Sequence, residues 1–156
     1  MFIRAIEQAI TKHTEGKSPK ILFIWGPRRS GKTTLLQKLA MERKLPIFNF
    51  DFISDQELFR PDRNKLEALA KEHKIILIDE VQSYPESTLA LKLLYDEYGV
   101  KVIATGSSEI RKKSQDFDSL AGRYKEMYCL PFSIEEVFQN TPHKSYDTAN
   151  LYDKIQ

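Results

Sequence analysis

The amino-acid sequence predicts an α/β fold in which a mostly parallel sheet is covered by helices on both faces. Short apolar runs alternate with helical patterns along the chain, as in βαβ units. One of these runs leads directly into a glycine-containing loop and a helix, a strand–loop–helix order typical of phosphate-binding folds. The length of 156 residues is sufficient for one domain with a sizeable core, and 41% hydrophobic with 29% charged residues is an ordinary globular composition.

The first part of the chain is predicted to contain two helices and two strands. A stripe of isoleucines indicates a helix over about 2–15, and the apolar run 21–25 indicates a buried strand. A second helix is expected from about Lys32 to Arg43. Residues 47–52 alternate apolar and polar side chains, which favours a strand near the edge of the sheet.

The helices of the middle part are indicated by their expected first residues. Ser54 is a candidate N-cap, because Glu57 follows it at the capping-box spacing. Pro61 suits the first position of a helix whose apolar stripe includes Leu66 and Leu69. A further helix is expected from Pro85 onward.

Three more strands complete the predicted sheet. The run 75–78 is continuously apolar, as expected of a strand buried on both faces. Residues 100–105 and 124–130 are the other two predicted strands, and Pro131 ends the last of them.

The segment Gly26–Thr33 fits the pattern G-x-x-x-x-G-K-[ST] of a phosphate-binding loop. Backbone N–H groups of such a loop and of the first helical turn converge on phosphate oxygens. Lys32 can reach the β- and γ-phosphates, and the Thr33 hydroxyl can bind Mg²⁺. The side chains of Arg28 and Arg29 are either solvated or paired with acids, or they contact the nucleotide. The predicted cofactor-binding residues of this segment are Gly26, Pro27, Arg29, Ser30, Gly31, Lys32, Thr33 and Thr34.

An acidic pair, Asp79–Glu80, follows the apolar run 75–78. Ligands bind at the carboxyl ends of strands in open α/β sheets, so both side chains are expected near the phosphates. We expect Asp79 to hold Mg²⁺ through water and Glu80 to orient or deprotonate an attacking water. The alternative is a pair of solvated carboxylates in a turn.

Small polar residues follow the strand predicted over 100–105. If that strand lies between the phosphate-loop strand and the acidic strand, Thr105, Ser107 or Ser108 can sense a γ-phosphate by hydrogen bonding. The alternative is that Ser107 and Ser108 cap the helix that begins near Glu109. Both functions are compatible if different residues fulfil them.

Composition narrows the class of protein. A net charge of +2 gives no electrostatic argument for nucleic-acid binding, and no run approaches the roughly 18 apolar residues of a membrane span. The single cysteine, Cys129, forms no internal disulfide, and the first residues do not follow a signal-peptide pattern, so a cytoplasmic location is expected. The three histidines lack metal-ligand spacing, so no zinc site is expected.

Five short motifs in register resemble the AAA+ ATPases, and in particular prokaryotic AAA-domain ATPases. They are a Gly-Pro-Arg-x-x-Gly-Lys-Thr loop, an Asp-Glu-x-Gln segment at 79–82 and a Thr-Gly-Ser-Ser segment at 105–108. A Leu-Ala-Gly-Arg segment at 120–123 and Pro-Phe-Ser at 131–133 complete the set. The resemblance covers about residues 1–140.

This resemblance implies a three-layer P-loop NTPase core with a five-stranded parallel sheet of order 5-1-4-3-2. It also implies that ATP is bound with Mg²⁺ and hydrolysed slowly. Arg123 is expected near the phosphates, in the same subunit or in a neighbouring copy of a homo-oligomer, as an arginine finger. The alternative for Arg123 is a structural ion pair at the start of a strand.

The domain prediction is a nucleotide-binding core over residues 1–140 followed by a polar linker over 141–156. The linker is expected to lead into a lid or C-terminal domain, in a truncated chain or one completed from elsewhere. The favoured function is an ATPase module that converts nucleotide state into a conformational change in a partner or C-terminal domain. The alternatives are a nucleotide-gated module for DNA or protein with negligible turnover, and a small-molecule kinase.

Overall fold

The computed structural model describes residues 5–113 and 115–130. The chain divides into two compact units, and the larger one is Ser18–Cys129. Helix α1 (Ala5–Glu15) belongs to the other unit. The predicted linker over 141–156 lies outside the described residues, and the division at residue 140 therefore stays a prediction.

A five-stranded parallel sheet forms the centre of the larger unit, with the strand order β2-β3-β4-β1-β5. This confirms the order expected from the sequence. The strands are β1 (Ile21–Gly26), β2 (Ile47–Asn49), β3 (Ile75–Asp79), β4 (Lys101–Ser107) and β5 (Tyr124–Tyr128). Because all pairs are parallel, the carboxyl ends of the strands meet at one edge of the sheet.

Helices connect the strands, as parallel pairing requires. The helices of the larger unit are α2 (Lys32–Arg43), α3 (Ile53–Leu58), α4 (Arg63–Glu72), α5 (Ser87–Asp96) and α6 (Ser108–Lys113). Two 3₁₀ turns, Val81–Ser83 and Asp116–Leu120, were not expected from the sequence. The bounds of α2 are those predicted.

The core lies around the three central strands. Every residue of β1 is buried, and so are most of those in β3 and β4, whereas β2 and β5 are partly exposed at the sheet edges. Trp25 stacks on Phe23 with ring centroids 5.2 Å apart and lies 5.6 Å from the ring of Phe117. Its indole N–H donates to Glu126 at 3.2 Å. Trp25 is therefore a packing residue.

Two predicted helix starts were wrong. Helix α3 begins at Ile53, and its N-cap is Phe52, so Ser54 lies inside the first turn. Helix α4 begins at Arg63 after Asp62, whose carboxylate accepts from two backbone N–H groups of the first turn. An aspartate at this position satisfies otherwise unpaired donors, which Pro61, the residue directly before it, cannot do.

Candidate functional site

The carboxyl ends of β1, β3 and β4 border a cleft of about 580 Å³. Its walls are mostly polar and come mainly from the loop after β1, the turn after β3 and the end of β4. The predicted site residues that line it are Arg29, Gly31, Lys32, Thr33, Thr34, Glu80 and Ser107. Residues distant in the sequence thus meet in one concavity.

Glycines shape the loop that forms one wall. Gly31 is the N-cap of α2 with φ 90°, a left-handed conformation that favours glycine, and it makes no side-chain cap. A Cβ on Gly26 would meet the carbonyl oxygen of Cys129 and lie 2.8 Å from the Ser30 hydroxyl. The loop therefore needs both glycines to bring the N-terminus of α2 up to the cleft, where its first N–H groups have no intrahelical partner.

Lys32 is only 8% exposed. Its ammonium group donates to the carbonyl oxygens of Gly26 and Pro27, each at 2.7 Å, and lies 3.4 Å from the Ser30 hydroxyl. Burial lowers the pKa of Lys32 from its ordinary value, and the neighbouring Glu80, Cys129 and Asp79 side chains oppose that shift. The phosphate-binding loop therefore holds the ammonium group of Lys32 against the wall of the cleft.

Asp79 connects the loop helix to the sheet. Its Oδ2 accepts from the Thr33 hydroxyl at 3.0 Å, and its Oδ1 accepts from the Thr105 hydroxyl at 2.6 Å and from the Glu80 N–H at 3.1 Å. Asp79 is 4% exposed and Thr105 is fully buried. This carboxylate is therefore fixed by three donors from three segments of the chain.

Thr105 corrects one expectation from the sequence. Thr105 does not line the cleft, because its hydroxyl lies deeper in the sheet and is bonded to Asp79. Of the three candidate phosphate sensors, it is Ser107 that borders the cleft. Ser107 ends β4, and α6 begins at Ser108.

Gln82 is a residue that the sequence analysis did not assign to the site. It lines the cleft, donates from Nε2 to Glu80 Oε2 at 2.5 Å and accepts the Ser107 N–H at 3.2 Å. The signal was present in the Asp-Glu-x-Gln pattern. Asp51 and Ser83 also line the cleft, where the Ser83 hydroxyl donates to Asp51 at 2.6 Å.

Arg123 does not lie at this cleft, so the expectation that it approaches the phosphates of its own chain is wrong. Its backbone carbonyl accepts from Ile21 N at 2.9 Å, which places it where β1 begins rather than where β1 ends. The strand β1 separates it from the loop by about 16 Å. Its guanidinium pairs with Asp96 at 3.0 Å, and this hydrogen bond raises the pKa of Arg123. A role from a neighbouring copy stays a prediction.

Thr33, which lines the cleft, and Asp79, which is hydrogen-bonded to it, fit a magnesium ion. The Thr33 hydroxyl and the Asp79 carboxylate oxygen lie 3.0 Å apart. A Mg²⁺ ion beside this pair would be bound directly by the hydroxyl and through water by the carboxylate. Among residues 5–113 and 115–130 there is no cluster of three or more acidic, histidine or cysteine side chains that could hold a metal by itself. The pair of Thr33 and Asp79 suits Mg²⁺, which commonly takes one or two carboxylates and completes its shell with phosphates and water.

The comparison with protein families identifies the chain. A family model described as an AAA domain matches residues 18–138. The chain belongs to the AAA domain family. The matched range covers the loop, the acidic strand, the Ser107 segment and β5. This AAA domain is thus a P-loop domain of a nucleotide-binding fold, as the motifs indicated.

A related sequence extends well beyond this AAA domain. The uncharacterized protein MJ1637 of Methanocaldococcus jannaschii is 27% identical over 163 residues. That alignment covers 96% of this chain but 34% of the archaeal protein. The chain therefore spans about a third of the curated relative that it matches.

Solved structures share the fold of the AAA domain. The Walker-type ATPase PABY2304 of Pyrococcus abyssi has a TM-score of 0.60 at 21% identity, over 89% of this chain and 57% of that one. A Bacteroides Pif1 helicase in complex with ADP-AlF3 and single-stranded DNA has a TM-score of 0.58 at 20% identity, over 90% and 46%. At these identities the likeness shows the fold alone.

Every helix within the described part of this AAA domain chain is too short or too polar to cross a bilayer.

Proposed function

We propose that this chain binds ATP together with Mg²⁺ and hydrolyses it. The observation that carries the proposal is the hydrogen bond between Thr33 and Asp79 at 3.0 Å. It places the hydroxyl of the phosphate loop beside the carboxylate of the acidic strand, so that one magnesium ion could be held by the hydroxyl directly and by the carboxylate through water. When bound, the ion would neutralise charge on the phosphates and orient them.

Binding of the phosphates rests on the loop and on Lys32. The ammonium group now donates to two loop carbonyls, and it needs only to change partners to donate to phosphate oxygens in the same concavity. The N-terminus of α2 adds backbone N–H groups and the positive end of its helix dipole. These contacts favour a polyphosphate over a neutral ligand.

Hydrolysis rests on Glu80. Its carboxylate lines the same cleft and follows Asp79 directly in the chain. A carboxylate in this position can accept a proton from water or orient the water for attack on the terminal phosphate. Asp79 is already bonded to three donors, so it is the less available base.

The process that ATP hydrolysis drives would depend on parts beyond this domain. Since the chain spans 34% of its archaeal relative, we propose that nucleotide state is passed to a partner or to a further domain. The Pif1 structure contains ADP-AlF3, which supports nucleotide binding by a protein of this fold. The single-stranded DNA in that structure is a ligand of the helicase and gives no partner for this chain.

Two variants test the proposal, each with a matched control. Lys32→Ala is expected to weaken ATP binding by roughly 10- to 150-fold, which corresponds to the loss of about 1.4–3 kcal/mol for a charge-assisted bond. Lys38→Ala is its control, because Lys38 lies on the same helix in a long surface pair with Glu42 at 4.0 Å. Binding is measured by calorimetry with and without Mg²⁺.

Glu80→Gln is expected to keep ATP affinity and to lose phosphate release by roughly 100- to 10,000-fold. Glu86→Gln, at an exposed position, is the control. Equal turnover in Glu80→Gln and the unaltered chain would remove Glu80 as the base. Tight ATP binding without any phosphate release would instead favour a nucleotide-gated binding module.

A further inference from the structure

Gln82 lies in the 3₁₀ turn after β3 and joins two walls of the cleft. Its amide nitrogen donates to Glu80 Oε2 at 2.5 Å. Its amide oxygen accepts the backbone N–H of Ser107 at 3.2 Å. One side chain therefore connects the carboxylate proposed as the base to the last residue of β4.

The chemistry of its two partners fixes the orientation of this amide. A backbone N–H can only donate, so the oxygen of Gln82 has to face Ser107. The NH₂ group then faces Glu80, whose ionised carboxylate can only accept. Turning the amide over would set two donors against each other at one end and two acceptors at the other, so the geometry admits a single arrangement.

Glu80 has an unusual backbone conformation. Its φ of 54° and ψ of 49° are left-handed, a region that costs a non-glycine residue of order 1 kcal/mol or more. The backbone is held by the Glu80 N–H bond to Asp79 at 3.1 Å and by the Ser83 N–H bond to Glu80 O at 3.0 Å. Neither contact involves the carboxylate, whose hydrogen-bond partner within residues 5–113 and 115–130 is Gln82.

Gly106 gives an independent sign that the position of Gln82 is built into the fold. A Cβ on Gly106 would lie 2.7 Å from the Gln82 amide oxygen and 2.5 Å from Trp25 Cζ3. The φ of Gly106 does not require glycine, so the requirement comes from the space. The chain therefore leaves room beside β4 for this amide to reach Ser107.

We propose that Gln82 is a positioning residue that holds the Glu80 carboxylate toward the cleft and couples it to Ser107. This inference rests on the proposed function, since it assigns Gln82 a task through Glu80. A ligand that displaces Ser107 would move the Gln82 amide and with it the carboxylate. Gln82 itself takes no proton and binds no metal in this scheme.

The first test separates turnover from binding. Gln82→Ala in the full chain is expected to lower kcat for ATP hydrolysis by roughly 10- to 100-fold, the effect of a small misplacement of a reacting group. ATP affinity and KM should stay within about twofold, because no phosphate contact is removed. Gln37→Ala, at an exposed position of α2, is the matched control.

The second test asks whether Gln82 acts through Glu80. In a Glu80→Gln background, Gln82→Ala should cost nothing further, because the carboxylate that it positions is absent. Gln82→Glu should keep slow hydrogen exchange at the Ser107 amide, since its carboxylate can still accept that N–H. It should not restore kcat, since it cannot donate to Glu80.

The results that overturn the proposal are distinct from those that overturn the proposed function. If the unaltered chain hydrolyses ATP and Gln82→Ala has the same kcat, Gln82 is no positioning residue. If Gln82→Ala lowered kcat by the same factor in the unaltered chain and in the Glu80→Gln background, Gln82 would not act through Glu80. Absence of hydrolysis in the unaltered chain would refute the proposed function itself, and the role of Gln82 with it, before any variant is made.

Discussion

Replacing Thr105 by valine tests whether this residue supports Asp79 or senses a ligand. Valine has nearly the shape of threonine, and the change exchanges one hydroxyl for a methyl group. The hydroxyl donates to Asp79 Oδ1 at 2.6 Å, and Thr105 has no exposed surface. Water therefore cannot replace the lost donor.

The size of the effect follows from that geometry. A hydrogen bond to a charged group contributes about 1.5–3 kcal/mol to stability. Asp79 keeps the bonds from Thr33 and from the Glu80 N–H, so the loss is not that of a wholly unpaired carboxylate. For a chain of this size, 1 kcal/mol corresponds to about 2–4 °C in Tm, so Thr105→Val should melt roughly 3–12 °C lower.

The assay combines thermal unfolding with calorimetric titration of ATP. Thr88→Val makes the same chemical change at a half-buried position of α5 and should alter stability by about 0.5 kcal/mol at most. A carboxylate with one donor fewer is also less fixed, so Thr105→Val should weaken ATP binding with Mg²⁺ present. Binding without Mg²⁺ should be unchanged.

One combination of results would refute this reasoning. Suppose that Thr105→Val had the same Tm as the unaltered chain and that its ATP affinity fell equally with and without Mg²⁺. Thr105 would then not be a support for Asp79. The hydroxyl would then act on the nucleotide itself, as the sequence first suggested.

Three further predictions concern Gly106, Arg123 and Lys32. Gly106→Ala should destabilise the chain by about 1–3 kcal/mol in urea unfolding, because the added Cβ would lie 2.5 Å from the fully buried Trp25 ring. An unchanged free energy of unfolding would mean that the ring can shift to make room. Arg123→Ala should leave ATP affinity unchanged in dilute solution, because its guanidinium pairs with Asp96 away from the cleft, and a large loss of affinity would contradict that placement. Burial lowers the pKa of Lys32, so the unfolded chain binds this proton more tightly than the folded one, and stability should rise as pH increases toward 10.5. Lys32→Met should lack that rise when urea unfolding is followed over the alkaline range.

The central strands and α2 were predictable because their signals are local. A continuous apolar run such as 75–78 indicates a strand that is buried on both faces. This prediction does not depend on which strands lie beside it. Helix α2 begins at Lys32 as predicted, because a glycine precedes it and a leucine-containing stripe follows. The edge strand β2 proved shorter than predicted, since the backbone turns after Asn49, whose carbonyl oxygen accepts from Phe52 N at 3.0 Å.

The helix caps were less predictable, because several side chains competed for each one. Asp55 accepts from Asn49 N at 2.8 Å and thereby connects the first turn of α3 to β2. That tertiary contact, together with the turn from Phe52, sets the start of α3 ahead of the Ser54 pattern. A capping-box spacing records only a local preference, and tertiary hydrogen bonds override it.

The depth of a residue in the sheet could not be inferred from spacing. Thr105 and Ser107 are two residues apart and so share a face of β4. The register that pairs Ile78 with Ala104 places Thr105 beside Asp79, while Ser107 extends to the cleft. Register depends on contacts between distant segments, so the sequence identified the segment and left the residue open.

The position of Arg123 was implicit in the predicted topology. In a parallel sheet, a residue that enters a strand lies at the edge opposite to residues that leave one. Arg123 enters β5, and the pairing of Ile21 with Tyr124 fixes it at the beginning of β1. Strand direction alone therefore opposed a contact with the phosphates of the same chain, and a contact from a neighbouring copy stays a prediction.

The ends of β3 and β4 are connected twice, and the two connections differ in their exposure to a ligand. The bond between Thr105 and Asp79 is buried, so it should persist whatever occupies the cleft. The bond between Gln82 and Ser107 borders the cleft, where a phosphate can compete with it. A nucleotide-dependent movement should therefore begin at Ser107 and reach Glu80 through Gln82, while the strands themselves remain fixed. If that is correct, hydrogen exchange on ATP addition should change at the Ser107 amide and stay constant in the middle of β4.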